Sequence, residues 1–196
     1  MEELFVEFAK ATIALFVIVD PLGNIPIFLG LTRRLDKESR GKVFKIATLT
    51  AFFLLLFFAL AGREVMYLFG ISLPNFKLAG GTLLLVISIK ILVYGEWEEK
   101  VTDERTTGVV PLGFPLLAGP GAITATIVNL QSYGMMVTLL ATSLVFLLTW
   151  LILRFIDAIY KILGELGSAV IARLMAVFIA AIAFQFIVEG IQHQFM

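Results

Sequence analysis

The fold class this sequence predicts is all-α: a polytopic membrane protein of six transmembrane helices, arranged as two inverted three-helix repeats with helices 1 and 4 broken. Three observations point there. The 196 residues are 60% hydrophobic with a mean hydropathy of +0.99, more apolar side chain than a soluble domain of this size can hide. The apolar residues gather into six runs, each near the roughly 20 residues that cross a bilayer's hydrocarbon. A proline-containing interruption recurs at the same place in each half of the chain.

Taken in order, the first span covers 5–31 and contains IVDPLGNIPIF at 18–28. Proline inside a helix costs about 3 kcal/mol and glycine about 1, and a charge at bilayer depth is also costly. Asp20 followed by Pro21 reads as an N-cap and a proline at the first helical position. One helix therefore ends near Val19, and a second short one runs from Pro21 toward Thr32. The start MEELFVEFAK carries three acids and no basic leader region, so the first apolar run reads as a retained span. The second span is 43–62, and EVMYLFGI beyond it reads as an interfacial helical piece. The third span is 74–94. The polar stretch GEWEEKVTDERTTG follows, dividing a first repeat (1–95) from a second (109–196) through a linker at 96–108. The second repeat holds spans at 109–131, 134–155 and 170–190, the first of them interrupted at Gly119-Pro120-Gly121.

Orientation follows from the cations. With the N-terminus outside, the loops and helix ends on the cytoplasmic side collect Arg33, Arg34, Lys37, Arg40, Lys42, Lys45, Lys90, Lys100, Arg105, Arg154, Lys161 and Arg173, leaving Lys10, Arg63 and Lys77 opposite. The positive-inside rule then predicts a multi-pass protein of the cell (inner) membrane with both termini outside.

The halves echo one another. A shift of 99 residues lays Pro21 on Pro120, and FKLAGG at 76–81 parallels ARLMAV at 172–177. A repeat of three spans enters the membrane from the opposite side in its second copy. Inverted repeats with matched broken helices are the best sequence pointer to a transporter's binding site. The two short helices then aim their N-termini at each other near mid-membrane, where free N–H groups and positive dipole ends suit a carboxylate. The freed carbonyls of the preceding half-helices suit an ammonium or small cation. Glycines at 23, 119 and 121 keep side chains out of the way, so the space suits something small. Substrate-contact candidates are Asp20, Gly23, Asn24, Gly119, Gly121, Ala122 and Thr124, with Pro21 and Pro120 making the breaks.

Other polar residues read as structural. Hydroxyls of Thr124 and Thr126 more often bond back into their own helix than to a ligand. Gln185 is expected to hydrogen-bond across helices, and Lys77 and Arg173 to snorkel. The lone His193 gives no catalytic or metal signal. Balanced charge argues against nucleic acid, and the absence of cysteine excludes disulfides and thiolate chemistry. With no convergent acid, base and nucleophile, no enzyme is expected. Nor is a cofactor, beyond a coupling proton or sodium ion. The small-residue run AGGT at 79–82 serves packing within the bundle or between copies equally well, and oligomeric state is open.

At IVDPLGNIPIFLGLT and PLGFPLLAGPGAITATIV, and again at GISLPNFKLAGG and AIAFQFIVEGI, the sequence resembles the MarC family of six-span membrane proteins. That family includes the SnatA-type small neutral amino acid transporters. The resemblance spans essentially the whole chain, with Asp20 in a DPxGN motif and Gly119-Pro120-Gly121 in AGPGAI. It implies gradient-coupled symport of glycine- or alanine-sized substrates. The alternative reading is a cation channel or permease built on Asp20 and the freed carbonyls.

Overall fold

The computed structural model describes residues 2–32, 35–94 and 108–195. Helices joined by short turns make up these residues: α1 (Glu2–Val19), α2 (Ile25–Leu31), α3 (Lys37–Leu68), α4 (Leu73–Tyr94), an irregular helical segment Gly108–Leu117, α5 (Pro120–Arg154) and α6 (Ile156–Phe195). Four of them are long and apolar enough to cross a membrane: Lys37–Gly62, Leu73–Val93, Pro120–Arg154 and Ile156–Gln192. Four charged residues in the first half of α1 (Glu2, Glu3, Glu7 and Lys10) keep it out of that set. The chain is thus polytopic and all-α. The linker expected at 96–108 lies outside the described residues except for Gly108.

Two expectations about helix ends need correction. The stretch EVMYLFGI is not a separate interfacial piece. Its residues through Leu68 continue α3 without a break, since nothing in AGREVMYL interrupts the hydrogen-bond ladder before Gly70, which turns the chain at φ 64°. The gap expected between 155 and 170 is likewise helical. α6 begins at Ile156, and the chain redirects at Gly164 instead.

Gly134 in α5 and Gly164 in α6 share one geometry, φ 81° with ψ 174° and φ 66° with ψ −177°. That combination is essentially closed to residues with a Cβ. Space is open around both positions, so backbone conformation alone demands glycine there. Each therefore joins two straight helical pieces within what is otherwise one continuous element.

The pieces pack through small residues, as helices must where lipid tails offer no hydrophobic advantage to association. Val43, Ala47, Ala51 and Leu55 form a buried stripe on α3 at four-residue spacing. The segment Gly108–Leu117 lies against it so closely that a Cβ on Gly108 would sit 2.9 Å from the Val43 carbonyl oxygen. α1 packs in the same manner on α5, with Phe8 and Ala11 against Tyr133, Val137 and Ala141. Asn129 Nδ2 donates to the Ala11 carbonyl across that contact (3.3 Å). α4 is wedged between neighbours. Gly81 on one side leaves only 2.7 Å between a hypothetical Cβ and the Ala183 carbonyl of α6, and Gly80 on the other would strike Thr124 of α5. Both glycines of AGGT are thus spent on contacts within this chain.

α4 and α6 run antiparallel, Ile91 meeting Ala172 and Ala176 at one end and Lys77 meeting Glu189 at the other. Lys77 does not snorkel. It is 9% exposed, and its Nζ lies 2.7 Å from Glu189 Oε2. Gln185 is exposed and donates to Glu189 Oε1 within α6 (2.9 Å), not across helices, because its position turns away from α4 while Ala183 and Phe186 turn inward.

Two outcomes follow for the purified protein in detergent. Gly134→Ala or Gly164→Ala should lower unfolding stability by about 1–3 kcal/mol, whereas Gly41→Ala, in the second turn of α3 and in open space, should raise it by about 0.5–1 kcal/mol. Both are read by thermal unfolding. Replacing Lys77 or Glu189 alone with Met should cost more than the ~1 kcal/mol of an exposed pair and approach the ~3–5 kcal/mol of a buried one. The double replacement should recover most of that loss, and a double-mutant cycle measures it.

Candidate functional site

The first break is built from four residues of one motif. Pro21 has no N–H for the Val17 carbonyl, so the α1 ladder stops. The Asp20 N–H still reaches the Phe16 carbonyl (2.9 Å), and Asp20 itself then turns left-handed at φ 46°, a region aspartate tolerates better than most residues. In a continuing helix the Gly23 N–H would bond the Val19 carbonyl. It donates instead to Asp20 Oδ1 (2.9 Å), and the Val19 carbonyl receives Asn24 Nδ2 (3.3 Å). A Cβ on Gly23 would collide with the Asp20 carboxylate, so the glycine makes room for the acid that holds it.

The break falls where the sequence puts it, but the restart does not. α2 begins at Ile25, with Asn24 at its cap and Pro26 in its first turn. Residues 20–24 form a turn closed by Asn24 N–H to the Asp20 carbonyl (3.1 Å). Asp20 therefore closes that turn and does not cap a helix starting at Pro21. The Val19 carbonyl, expected to be free for a cation, is occupied by Asn24.

The second break runs through extended residues Val110 and Phe114 and a cis Phe114–Pro115 bond. Gly119 caps α5 at φ −70°, ψ 172°, with Pro120 in the first helical turn. A Cβ on Gly119 would lie 2.5 Å from the Pro115 carbonyl oxygen, so this crossing admits no side chain. The Ile123 N–H returns to the Gly119 carbonyl (3.0 Å). Helical geometry leaves the N–H groups of Gly121 and Ala122 with no acceptor in their own helix.

Both breaks wall one cavity of about 230 Å³. Asp20 and Asn24 contribute from the first break, and Gly119, Pro120, Gly121 and Ala122 from the second. Asp20 is almost fully buried. Gly23 and Thr124 stand outside the lining. Gly23 serves Asp20, and the Thr124 hydroxyl donates to the Pro120 carbonyl (2.9 Å) while its side chain fills the notch at Gly80. The Thr126 hydroxyl likewise bonds back, to Ala122 (2.8 Å). Sequence reasoning missed the apolar wall: Leu83, Leu84, Ile87 and Ile91 of α4 and Ile179 of α6. The nearest available signal was Gly80 and Gly81, which bring α4 close enough to close the chamber. A larger groove of about 570 Å³ runs between α1 and α5. Ser143 is its one polar lining residue, so it offers little to orient a polar solute.

Residues 5–195 match the profile of MarC family integral membrane proteins. The chain belongs to this family. Relatives of this MarC chain include a UPF0056 membrane protein of Archaeoglobus fulgidus, 39% identical over 94% of this chain and 91% of the relative. Another, from Methanocaldococcus jannaschii, is 36% identical over 94% and 96%. The UPF0056 membrane protein YhcE of Escherichia coli is 34% identical over 96% and 93%. No solved structure matches. Membership fixes the MarC chain as an integral membrane protein, and the relatives' names state no cargo.

The motif geometry of this MarC protein separates the charge of Asp20 from its structural duty. Asp20→Asn keeps an acceptor for the Gly23 N–H and a residue that tolerates positive φ, so unfolding stability should shift by under about 1 kcal/mol. Asp20→Ala leaves that buried N–H unmet and should cost about 1–3 kcal/mol. Thermal unfolding of the two variants in parallel measures the difference.

Proposed function

We propose that this protein is a secondary transporter of small neutral amino acids of the glycine and alanine class, working by alternating access around the cavity between the two breaks. The observation that carries the reading is that interruptions 99 residues apart wall a single chamber. The substrate carboxylate is received by the unclaimed Gly121 and Ala122 N–H groups at the positive end of α5. Asp20 is the carboxylate linked to a proton or sodium gradient. The chamber's size and its apolar wall from α4 favour a small, uncharged side chain.

Reciprocal packing supports six spans in two inverted repeats. α1 rests on the second piece of α5, and the segment Gly108–Leu117 rests on α3 in the corresponding relation. α4 pairs with α6, the third member of each half. The left-handed glycines Gly70 and Gly164 open these third members. In this reading the broken pairs α1–α2 and Gly108–Tyr133 are spans one and four. One repeat rocks against the other around a fixed site, and the distribution of cations sets both termini outside.

The test is uptake of labelled glycine or alanine into proteoliposomes under imposed proton and sodium gradients. Wild-type protein should accumulate substrate under one of the two gradients. Asp20→Asn, with its folding checked by the thermal unfolding described above, should lower the initial rate at least about tenfold, a change worth about 1.4 kcal/mol. Absence of both binding and uptake for any small amino acid overturns the reading.

A further inference from the structure

Away from the chamber, a second cavity of about 530 Å³ opens where α3 begins and α5 hands over to α6. Three apolar stretches terminate there, Lys37–Gly62 starting, Pro120–Arg154 ending and Ile156–Gln192 starting. The cavity therefore lies at the edge of the membrane-spanning layer. Among the described residues its wall carries Lys37, Arg40, Lys42, Lys45 and Arg154 against Glu38 and Asp157.

The two acids are already committed. Asp157 Oδ1 holds Arg40 Nη1 at 2.6 Å, and Glu38 Oε1 holds Lys42 Nζ at 2.7 Å. Lys37, Lys45 and Arg154 have no ion pair among the described residues, and Arg154 lies 5.3 Å over the ring centre of Trp150. Arg40 Nε is sealed from solvent and meets no acceptor among the described residues. The wall thus holds more donor capacity and more positive charge than the described residues neutralise.

The rest of the lining is apolar: Phe44, Trp150, Leu153 and Ile156. Exposed Ile46 and Leu49 on α3 and Leu147 and Leu151 on α5 continue toward the middle of those helices. A soluble anion would use the cations and ignore this apolar track. A phospholipid uses both, with phosphate in the basic cup, glycerol beside the amphipathic Trp150, and an acyl chain along the helices.

We propose that this cavity is a binding site for an anionic phospholipid. The phosphate is held by Lys37, Lys45 and Arg154, and the headgroup carries no cation of its own to oppose them. This does not depend on the transport reading.

The chain's only other tryptophan is Trp97, so Trp97→Phe makes Trp150 the sole reporter. Full-length protein in nanodiscs containing phosphatidylglycerol with brominated chains should show stronger Trp150 quenching than with brominated phosphatidylcholine at equal mole fraction. The preference should shrink as salt rises. Lys37→Gln, Lys45→Gln and Arg154→Gln should each reduce it about fivefold, while Arg173→Gln, exposed on α6, should leave it unchanged. Equal quenching by the two lipids, or an undiminished preference in the triple variant, overturns the proposal. So does loss of preference in Arg173→Gln, which would mean diffuse surface charge. If millimolar inorganic phosphate abolishes the preference, the cup is a soluble-anion site and the lipid assignment fails.

Discussion

At membrane depth every backbone donor and acceptor must find a partner inside the protein, because lipid supplies none. The break after α1 is buried inside the protein and meets the same demand, and the hydrogen bond from Gly23 to Asp20 is what makes the interruption tolerable. The donor that should have extended α1 is redirected to a side chain, and the acceptor it leaves behind is met by another, Asn24. The ladder is exchanged for two local bonds. Four residues of the motif have a part: proline stops the helix, aspartate accepts, glycine yields space, and asparagine donates to the carbonyl left behind.

The second break solves the same problem with backbone. No carboxylate is present. Gly119 permits a close crossing over Pro115, and Thr124 and Thr126 bond to carbonyls of the first turn. The chamber between the breaks is consequently asymmetric. One wall has a buried acid whose bond to Gly23 uses one of its two oxygens, and the other has the open end of a long helix. In the transport reading proposed above, that asymmetry is what would let the site distinguish the two ends of a zwitterion.

The remaining charge of the protein is disposed by the same economy. Lys77 and Glu189 neutralise each other where α4 meets α6, so neither is left bare in the bundle. At the opposite end of the helices the cations exceed the acids among the described residues, and the surplus borders an apolar track. The charged pair between α4 and α6 is thus closed on itself, whereas Lys37, Lys45 and Arg154 at the helix ends have no ion pair among the described residues.

The sequence by itself determined the class, the places of the breaks and the family. Each rests on local chemistry: 20-residue apolar runs, proline's missing N–H, and motifs such as DPLGN and AGPGAI that no ordinary helix contains. It also marked Asp20, Asn24, Gly119, Gly121 and Ala122 as one group, because matched interruptions in related halves are visible without coordinates. Where α2 restarts, that Gly23 and Thr124 serve neighbours instead of lining the chamber, and that Gln185 turns outward were decided only by tertiary structure. So were the apolar wall from α4 and the Lys77–Glu189 pair. These outcomes depend on which face each helix presents and how closely backbones approach. In a lipid-embedded bundle hydrophobic residues occupy both the inner and outer faces, so apolar periodicity no longer reports which face is buried.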